Sequence, residues 1–202
     1  MNDNDFYFKS HSSLGVTFLF WRKKNMKKAR IQSIVFNALI AAIYIVLTLL
    51  LAPFSYSTQL LFIELRVSEI LLVLTFYNKK YGSGLIIGCF LANLLGSSLG
   101  IIDWVFGTLQ TALSVLTFYL VSNLPIKRIY SLLIGTLINS LHCGVIIGAV
   151  LTYTYCNIEN AFVYFLLQFL GVFIGEFIIL IIGIFTFEMI FKNKNLKKIM
   201  CS

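Results

Sequence analysis

The sequence predicts an all-α integral membrane protein, folded as one compact bundle of six transmembrane helices. Hydrophobic residues make up 59% of the 202 residues, charged residues only 12%, and the mean hydropathy is +0.90. A soluble core of this size cannot hide so much apolar surface. Six apolar runs are joined by short connections, and none alternates apolar and polar residues with the period of two that a transmembrane β-barrel requires.

The six runs define the predicted spans, since a helix needs about 20 residues to cross a bilayer. They cover residues 33–52, 65–77, 84–99, 104–122, 130–153 and 161–191, and the second run is short. The membrane domain is therefore expected at 31–191, between a cytoplasmic extension at 1–30 and a basic cytoplasmic tail at 192–202. Because Met26 begins an ordinary lead-in to the first span, residues 1–25 are expected to be dispensable or untranslated.

Basic residues predict the orientation of the chain. All Lys and Arg residues except Arg66 lie before the first span or after the second, fourth and sixth spans. The positive-inside rule makes that side cytoplasmic, with both termini in it. The net charge of +8 is thus explained by topology and contact with anionic lipids, and nucleic-acid binding is not expected.

Motif searches argue against catalysis by this chain. The sequence contains no P-loop, no H-E-x-x-H and no G-x-S-x-G, so neither ATP hydrolysis nor a hydrolase activity is expected. The four cysteines lack C-x-x-C spacing and are interpreted as reduced structural thiols. Only His142 lies within a span, so a metal site is disfavoured relative to a hydrogen-bonding role.

Polar side chains deep within the spans are the informative residues, because a charge at the bilayer centre costs about 3 kcal/mol or more. Counting about 1.5 Å per residue from each cytoplasmic end places six of them in one layer, roughly 13 to 24 Å above that edge. They are Glu69, Asn93, Gln110, Asn139, His142 and Glu176. This convergence of five helices predicts a binding site, although interhelical hydrogen bonding is the alternative for each amide.

Charge in this layer is predominantly acidic. Glu69 and Glu176 have one nearby cation, Arg66, which shares a helix face with Glu69 at i, i+3. The surplus negative charge calls for a cationic ligand, a proton or a hydrogen-bond donor edge. Asp103 is expected to act as a helix N-cap immediately before Trp104.

Small residues spaced four apart predict close helix packing. Four such pairs are glycines, at 84/88, 96/100, 144/148 and 171/175. Ala38 and Ala42 form a fifth pair on the first span, where they present a smooth face suited to docking another membrane protein.

Six stretches carry a family resemblance. They are ALIAAIYIVLTLLLAPFS, LRVSEILLVL, GLIIGCFLANLLG, GIIDWVFGTLQTAL, LINSLHCGVIIG and LGVFIGEFIILIIG. With these stretches in this order, the chain resembles the QueT family over about residues 27–191. Members of this family are the queuosine-precursor-specific S components of energy-coupling-factor (ECF) transporters. The long N-terminal extension departs from that pattern.

The resemblance implies a multi-pass subunit of the bacterial cell membrane with the six-helix fold of ECF S components. Such a subunit binds 7-aminomethyl-7-deazaguanine (preQ1), and works with an EcfT-type transmembrane coupling subunit and two ATPase subunits. ATP would be bound by those partners, with no cofactor on this chain. Ala38 and Ala42 match the A-x-x-x-A pair that meets the coupling subunit in this family.

The implied substrate is cationic and has a guanine-like donor edge, which suits the acidic layer. Glu69 and Glu176 are expected to divide the ammonium group and the base edge between them, in an order left open. Arg66 is expected to orient Glu69, and Trp104 or Tyr56 to stack on the base. The full set of candidate substrate-binding residues is Glu69, Glu176, Asn93, Asn139, His142, Arg66, Asp103, Trp104 and Gln110.

Two alternatives remain open from the sequence. The chain could be an S component for another purine-like or vitamin substrate, since a fold says little about pocket chemistry. It could also be a proton-coupled transporter in which Glu69, His142 and Glu176 form a relay. The lack of a visible inverted repeat argues against the second alternative.

Overall fold

The computed structural model describes residues 30–52, 65–155 and 160–193, and within these ranges the chain is helical with short connections and no strand. Two units are distinguished, Met1–Phe36 and Asn37–Ser202. Of the first unit only residues 30–36 are described, and they are helical. The second unit contains every contact discussed below.

Each predicted apolar run corresponds to one helix. The helices are α1 (Arg30–Leu50), α2 (Val67–Tyr77), α3 (Gly82–Gly96), α4 (Ile101–Val121), α5 (Arg128–Tyr155) and α6 (Ala161–Ile190). Among the described residues, α1, α4, α5 and α6 are long and apolar enough to cross a membrane. From the rise per residue of 3₁₀- and α-helices, α2 and α3 are only about 20 Å long. Six membrane crossings therefore stay a prediction, as does the cytoplasmic position of both termini.

The short helix α2 lies inside the bundle. It begins as a 3₁₀-helix over Val67–Leu72 and continues as an α-helix over Val73–Tyr77. It packs against α3, α4 and α6, and Ser68 and Glu69 on its first turn are both buried. Its interior position is what brings the Glu69 carboxyl into the protein and away from lipid.

Glycines allow close contact between two pairs of helices, as predicted. A Cβ atom on Gly84 would lie 2.5 Å from the Asn37 carbonyl oxygen of α1. On α5, a Cβ at Gly148 would lie 3.1 Å from the Phe169 nitrogen of α6. The packing prediction is wrong for Gly100, which precedes α4 with φ +60° and has nothing near its Cβ position, so it is a turn residue.

The two faces of α1 have different environments. Ala41 and Tyr44 are buried, and Ala41 lies against Gly88 of α3. Ala38 and Ala42 are exposed on the other side of the helix, next to large apolar side chains such as Leu39 and Val46 that are also exposed. The predicted docking pair therefore lies on an uncovered face of this chain.

Candidate functional site

The Glu69 carboxylate is held by hydroxyl groups from two other helices. Glu69 is 3% exposed, and the Tyr44 hydroxyl of α1 donates to its Oε1 at 2.8 Å. The Thr111 hydroxyl of α4 lies 3.4 Å from the same oxygen. Hydrogen bonds to an ionised acceptor are stronger than neutral ones, so this arrangement partly offsets the cost of burying the carboxylate.

Cys89 and Asn93 connect this carboxylate site to the contact between α3 and α4. The Thr111 hydroxyl is also 3.1 Å from Cys89 Sγ. Asn93 Nδ2 lies 3.5 Å from the same sulfur and donates to the Asp103 carbonyl oxygen at 3.3 Å. Gly107 makes the approach possible, because a Cβ there would lie 2.5 Å from Asn93 Nδ2.

Arg66 and Asp103 form a buried ion pair, and the position of Asp103 corrects one expectation. Asp103 is not the N-cap of α4; Gly100 occupies that position, and Asp103 lies in the first turn. Its Oδ1 is 3.4 Å from Arg66 Nη2. The expected pairing of Arg66 with Glu69 stays a prediction, and Asp103 is a partner of Arg66 that the spacing along the chain did not indicate. Helix geometry reveals only neighbours on the same helix, and this pair joins residues 37 positions apart.

His142 and Gln110 connect α4 to α5. His142 Nδ1 lies 3.0 Å from Gln110 Oε1, and Nε2 lies 3.1 Å from the Thr117 hydroxyl. Both ring nitrogens are thus within hydrogen-bond distance of protein groups, which is the role that the sequence favoured over metal binding. No group of three metal-ligating side chains occurs in the described ranges.

Asn139 and Glu176 form the contact between α5 and α6 in this layer. Asn139 Nδ2 donates to Glu176 Oε1 at 2.9 Å, and the two residues are 0% and 3% exposed. Asn139 Oδ1 is buried and has no hydrogen-bond partner among the described residues. The same is true of the nearby Thr136 hydroxyl, one turn earlier on α5.

The structure brings six of the candidate substrate-binding residues together in pairs across helices. Asn93 contacts Asp103, Gln110 contacts His142, and Asn139 contacts Glu176. Trp104 is half-buried, and its indole nitrogen has no partner within the described part of the chain. Tyr56 and the rest of the connection at 53–64 lie outside the described residues.

Sequence reasoning missed Tyr44, Thr111 and Cys89 as members of this layer. Ser and Thr hydroxyl groups inside apolar helices commonly donate to their own backbone. A hydroxyl-bearing residue within a span, such as Thr or Tyr, is therefore weak evidence for a binding site. One available clue was that Thr111 follows Gln110 directly, at the depth already assigned to the layer.

A separate apolar groove lies between α4 and α5. Its volume is about 580 Å³, and it is lined by aliphatic and aromatic side chains, including Phe106 and Leu109 of α4 and Val145 and Tyr153 of α5. None of the predicted site residues lines it. The polar layer, and not this groove, therefore contains the candidate binding chemistry.

Comparison with known proteins identifies relatives of this chain. A family model described as QueT transporter matches residues 34–192. The queuosine precursor transporter QueT of Lactococcus lactis subsp. cremoris (strain MG1363) is 39% identical over 99 residues, which cover 46% of this chain and 55% of that relative. The match thus spans about half the length of the relative. No solved structure matches the chain.

Proposed function

Because the chain belongs to the QueT transporter family, we propose that it is the substrate-binding S component of an ECF-type importer that takes up preQ1. It is a multi-pass membrane protein, and we place it in the bacterial cell membrane with both termini in the cytoplasm. The name of its relative, a queuosine precursor transporter, supports a substrate of this class.

The observation that carries the proposal is the buried acidic layer. Two carboxylates, Glu69 and Glu176, lie at most 3% exposed within an apolar bundle, in contact with hydroxyl and amide groups from three other helices. Buried carboxylates of this kind are kept for function far more often than for stability. A deazaguanine with an aminomethyl arm supplies an ammonium group and an N–H edge, the two chemistries that such oxygens bind.

Energy for transport would come from partner subunits. The sequence contains no P-loop, and in this proposal two ATPase subunits hydrolyse ATP while an EcfT-type subunit couples them to the S component. Ala38 and Ala42 are exposed on α1, and small side chains allow another membrane helix to approach closely. These features support the exposed face of α1 as the docking surface for the coupling subunit.

The residues of the acidic layer are closed off from solvent, so substrate entry requires the bundle to open. Arg66, Glu69, Asn139 and Glu176 are all 7% exposed or less, so a ligand reaches them only when the helix ends separate. In our proposal substrate enters from the outside. Partner-driven reorientation of the whole subunit then releases it into the cytoplasm.

Ligand binding by the purified protein tests this proposal. Calorimetry in detergent or nanodiscs should give a dissociation constant for preQ1 between nanomolar and micromolar, with guanine and unrelated vitamins binding much more weakly. Binding of a different vitamin in place of preQ1 would overturn the substrate assignment. Uptake in cells that lack the ATPase subunits would instead favour a proton-coupled transporter.

A further inference from the structure

Hydroxyl groups within the helices of this protein generally bond to their own backbone. Among the described residues, seven Ser and Thr side chains donate to the carbonyl oxygen four residues earlier, at 2.7 to 3.0 Å. They are Thr48, Ser114, Thr117, Ser140, Thr152, Thr154 and Thr186. Thr136 of α5 and Thr108 of α4 differ, because their Oγ1 atoms are buried and have no hydrogen-bond partner among the described residues; of the two, only Thr136 lies one turn from Asn139. The Thr136 hydroxyl is therefore available to a group from outside the chain.

Asn139 presents a second such atom on the same face of α5. It follows Thr136 by three residues, a spacing that places the two side chains side by side. Its amide nitrogen donates to Glu176 Oε1, which leaves its own Oδ1 buried without a partner in the described ranges. Unsatisfied buried polar atoms are costly, and more so in a helix bundle that excludes water. Two of them beside a carboxylate indicate a place for a polar ligand.

The chemistry of these three side chains fits one edge of a purine-like base. Asn139 Oδ1 and the Glu176 carboxylate accept hydrogen bonds, and the Thr136 hydroxyl both donates and accepts. A 2-amino-6-oxo base presents an amino group and a ring N–H next to a carbonyl oxygen. We propose that Thr136, Asn139 and Glu176 form the subsite that recognises this edge, an assignment that rests on the proposed function.

The ammonium arm is then assigned to Glu69. Around its carboxylate lie the oxygens of Tyr44 and Thr111, at 2.8 and 3.4 Å from Oε1. A cluster of a carboxylate and two hydroxyl oxygens suits a compact cation with three rotatable N–H donors.

Removing the Thr136 hydroxyl gives the first test. Thr136→Val keeps the shape of the side chain, so the thermal stability of the ligand-free protein should be unchanged or higher. Affinity for preQ1 should fall roughly 3- to 10-fold, as expected for one neutral hydrogen bond. Ser140→Ala is the matched control on the same helix, because that hydroxyl already donates to the Thr136 carbonyl oxygen; its affinity should stay within about twofold of wild type. If Thr136→Val binds preQ1 with wild-type affinity, the Thr136 hydroxyl bonds to water and not to the ligand. That result would overturn its assignment to the subsite.

Ligand analogues give the second test, which separates the two carboxylates. One analogue lacks the 2-amino group of the base, and the other carries a methyl in place of the aminomethyl group. In Glu176→Gln, loss of the 2-amino group should no longer weaken binding, while loss of the ammonium group should still do so. Glu69→Gln should show the reverse pattern.

The outcomes distinguish this assignment from the proposed function. Suppose that wild-type protein binds preQ1, but Glu176→Gln becomes insensitive to loss of the ammonium group and Glu69→Gln to loss of the 2-amino group. The assignment of subsites is then wrong, and the transport proposal stands. If wild-type protein binds no deazaguanine, the proposed function fails, and the assignment fails with it.

Discussion

The Tyr44 hydroxyl donates to Glu69 Oε1 at 2.8 Å, and through this contact α1 reaches the acidic layer. Tyr44 is 1% exposed, and Ala42, two residues earlier, is on the exposed face of the same helix. The helix that carries the proposed docking surface therefore also holds a carboxylate of the proposed substrate site. A displacement of α1 by a partner would act on Glu69 directly.

Tyr44→Phe should destabilise the protein and weaken ligand binding together. Loss of a hydrogen bond to a charged acceptor costs about 1.5 to 3 kcal/mol, which lowers the melting temperature in detergent. Affinity for preQ1 should fall about tenfold, because the carboxylate loses an orienting contact. Tyr119→Phe is the matched control, since Tyr119 is 42% exposed and its ring lies under Lys79. Equal losses in the two variants would contradict a specific role for Tyr44.

Glu69→Gln should weaken preQ1 binding by about 10- to 100-fold and leave membrane insertion intact. The amide keeps the size of the side chain but removes the charge that attracts the substrate. Isothermal calorimetry measures binding, and alkaline extraction of membranes measures insertion. Glu188→Gln is the control, because Glu188 pairs with Arg128 at the far end of α6 and is away from the layer. Retained affinity in Glu69→Gln would return this residue to a structural role.

Asp103→Asn should be among the most destabilising polar substitutions. Removing one partner of a buried ion pair is strongly destabilising, at a typical cost of about 3 to 5 kcal/mol. The double variant Arg66→Met with Asp103→Leu removes both charges, so it should recover much of the lost stability. Thermal unfolding in detergent compares the single and double variants. A double variant less stable than Asp103→Asn would show that the ion pair itself stabilises the fold.

Gly107→Ala should disrupt the contact between α3 and α4. The new methyl group would lie 2.5 Å from Asn93 Nδ2 and 2.8 Å from Asp103 Oδ1. Overpacking of this kind costs about 1 to 3 kcal/mol. Combining it with Asn93→Ala frees the space, so the two effects on the unfolding free energy should not add. If the two changes in unfolding free energy add exactly, the clash with the Asn93 side chain is not the cause of the destabilisation.

Ala38→Leu combined with Ala42→Leu should prevent assembly with the coupling subunit and abolish uptake, without changing preQ1 affinity. The larger side chains keep a partner helix from approaching closely. Co-purification of the partner subunits measures assembly. Val46→Leu, on the same exposed face, is the control and should assemble normally. Normal co-purification of the double variant would exclude this face as the docking surface.

Much of the candidate site was predictable from depth and polarity. Glu69, Asn93, Gln110, Asn139 and Glu176 were placed in one layer by counting residues, and all of them are buried in the structure. Polar residues within the spans are predictable as buried because charged and amide groups have a high free energy in lipid and must face the protein interior. Counting residues could not predict partners, since Arg66 and Asp103 lie on different elements and meet only through tertiary packing.

The sequence by itself determined the helical class and the six apolar segments, and it predicts that the polar residues share one depth. These follow from hydropathy and a constant rise per residue, which are local properties of the chain. Only the tertiary structure decided which groups meet: Tyr44 at Glu69, Asn139 at Glu176, and a Thr136 hydroxyl left without a partner among the described residues. Hydrogen bonds between helices depend on the rotation and distance of each helix relative to its neighbours, and no local pattern encodes these quantities.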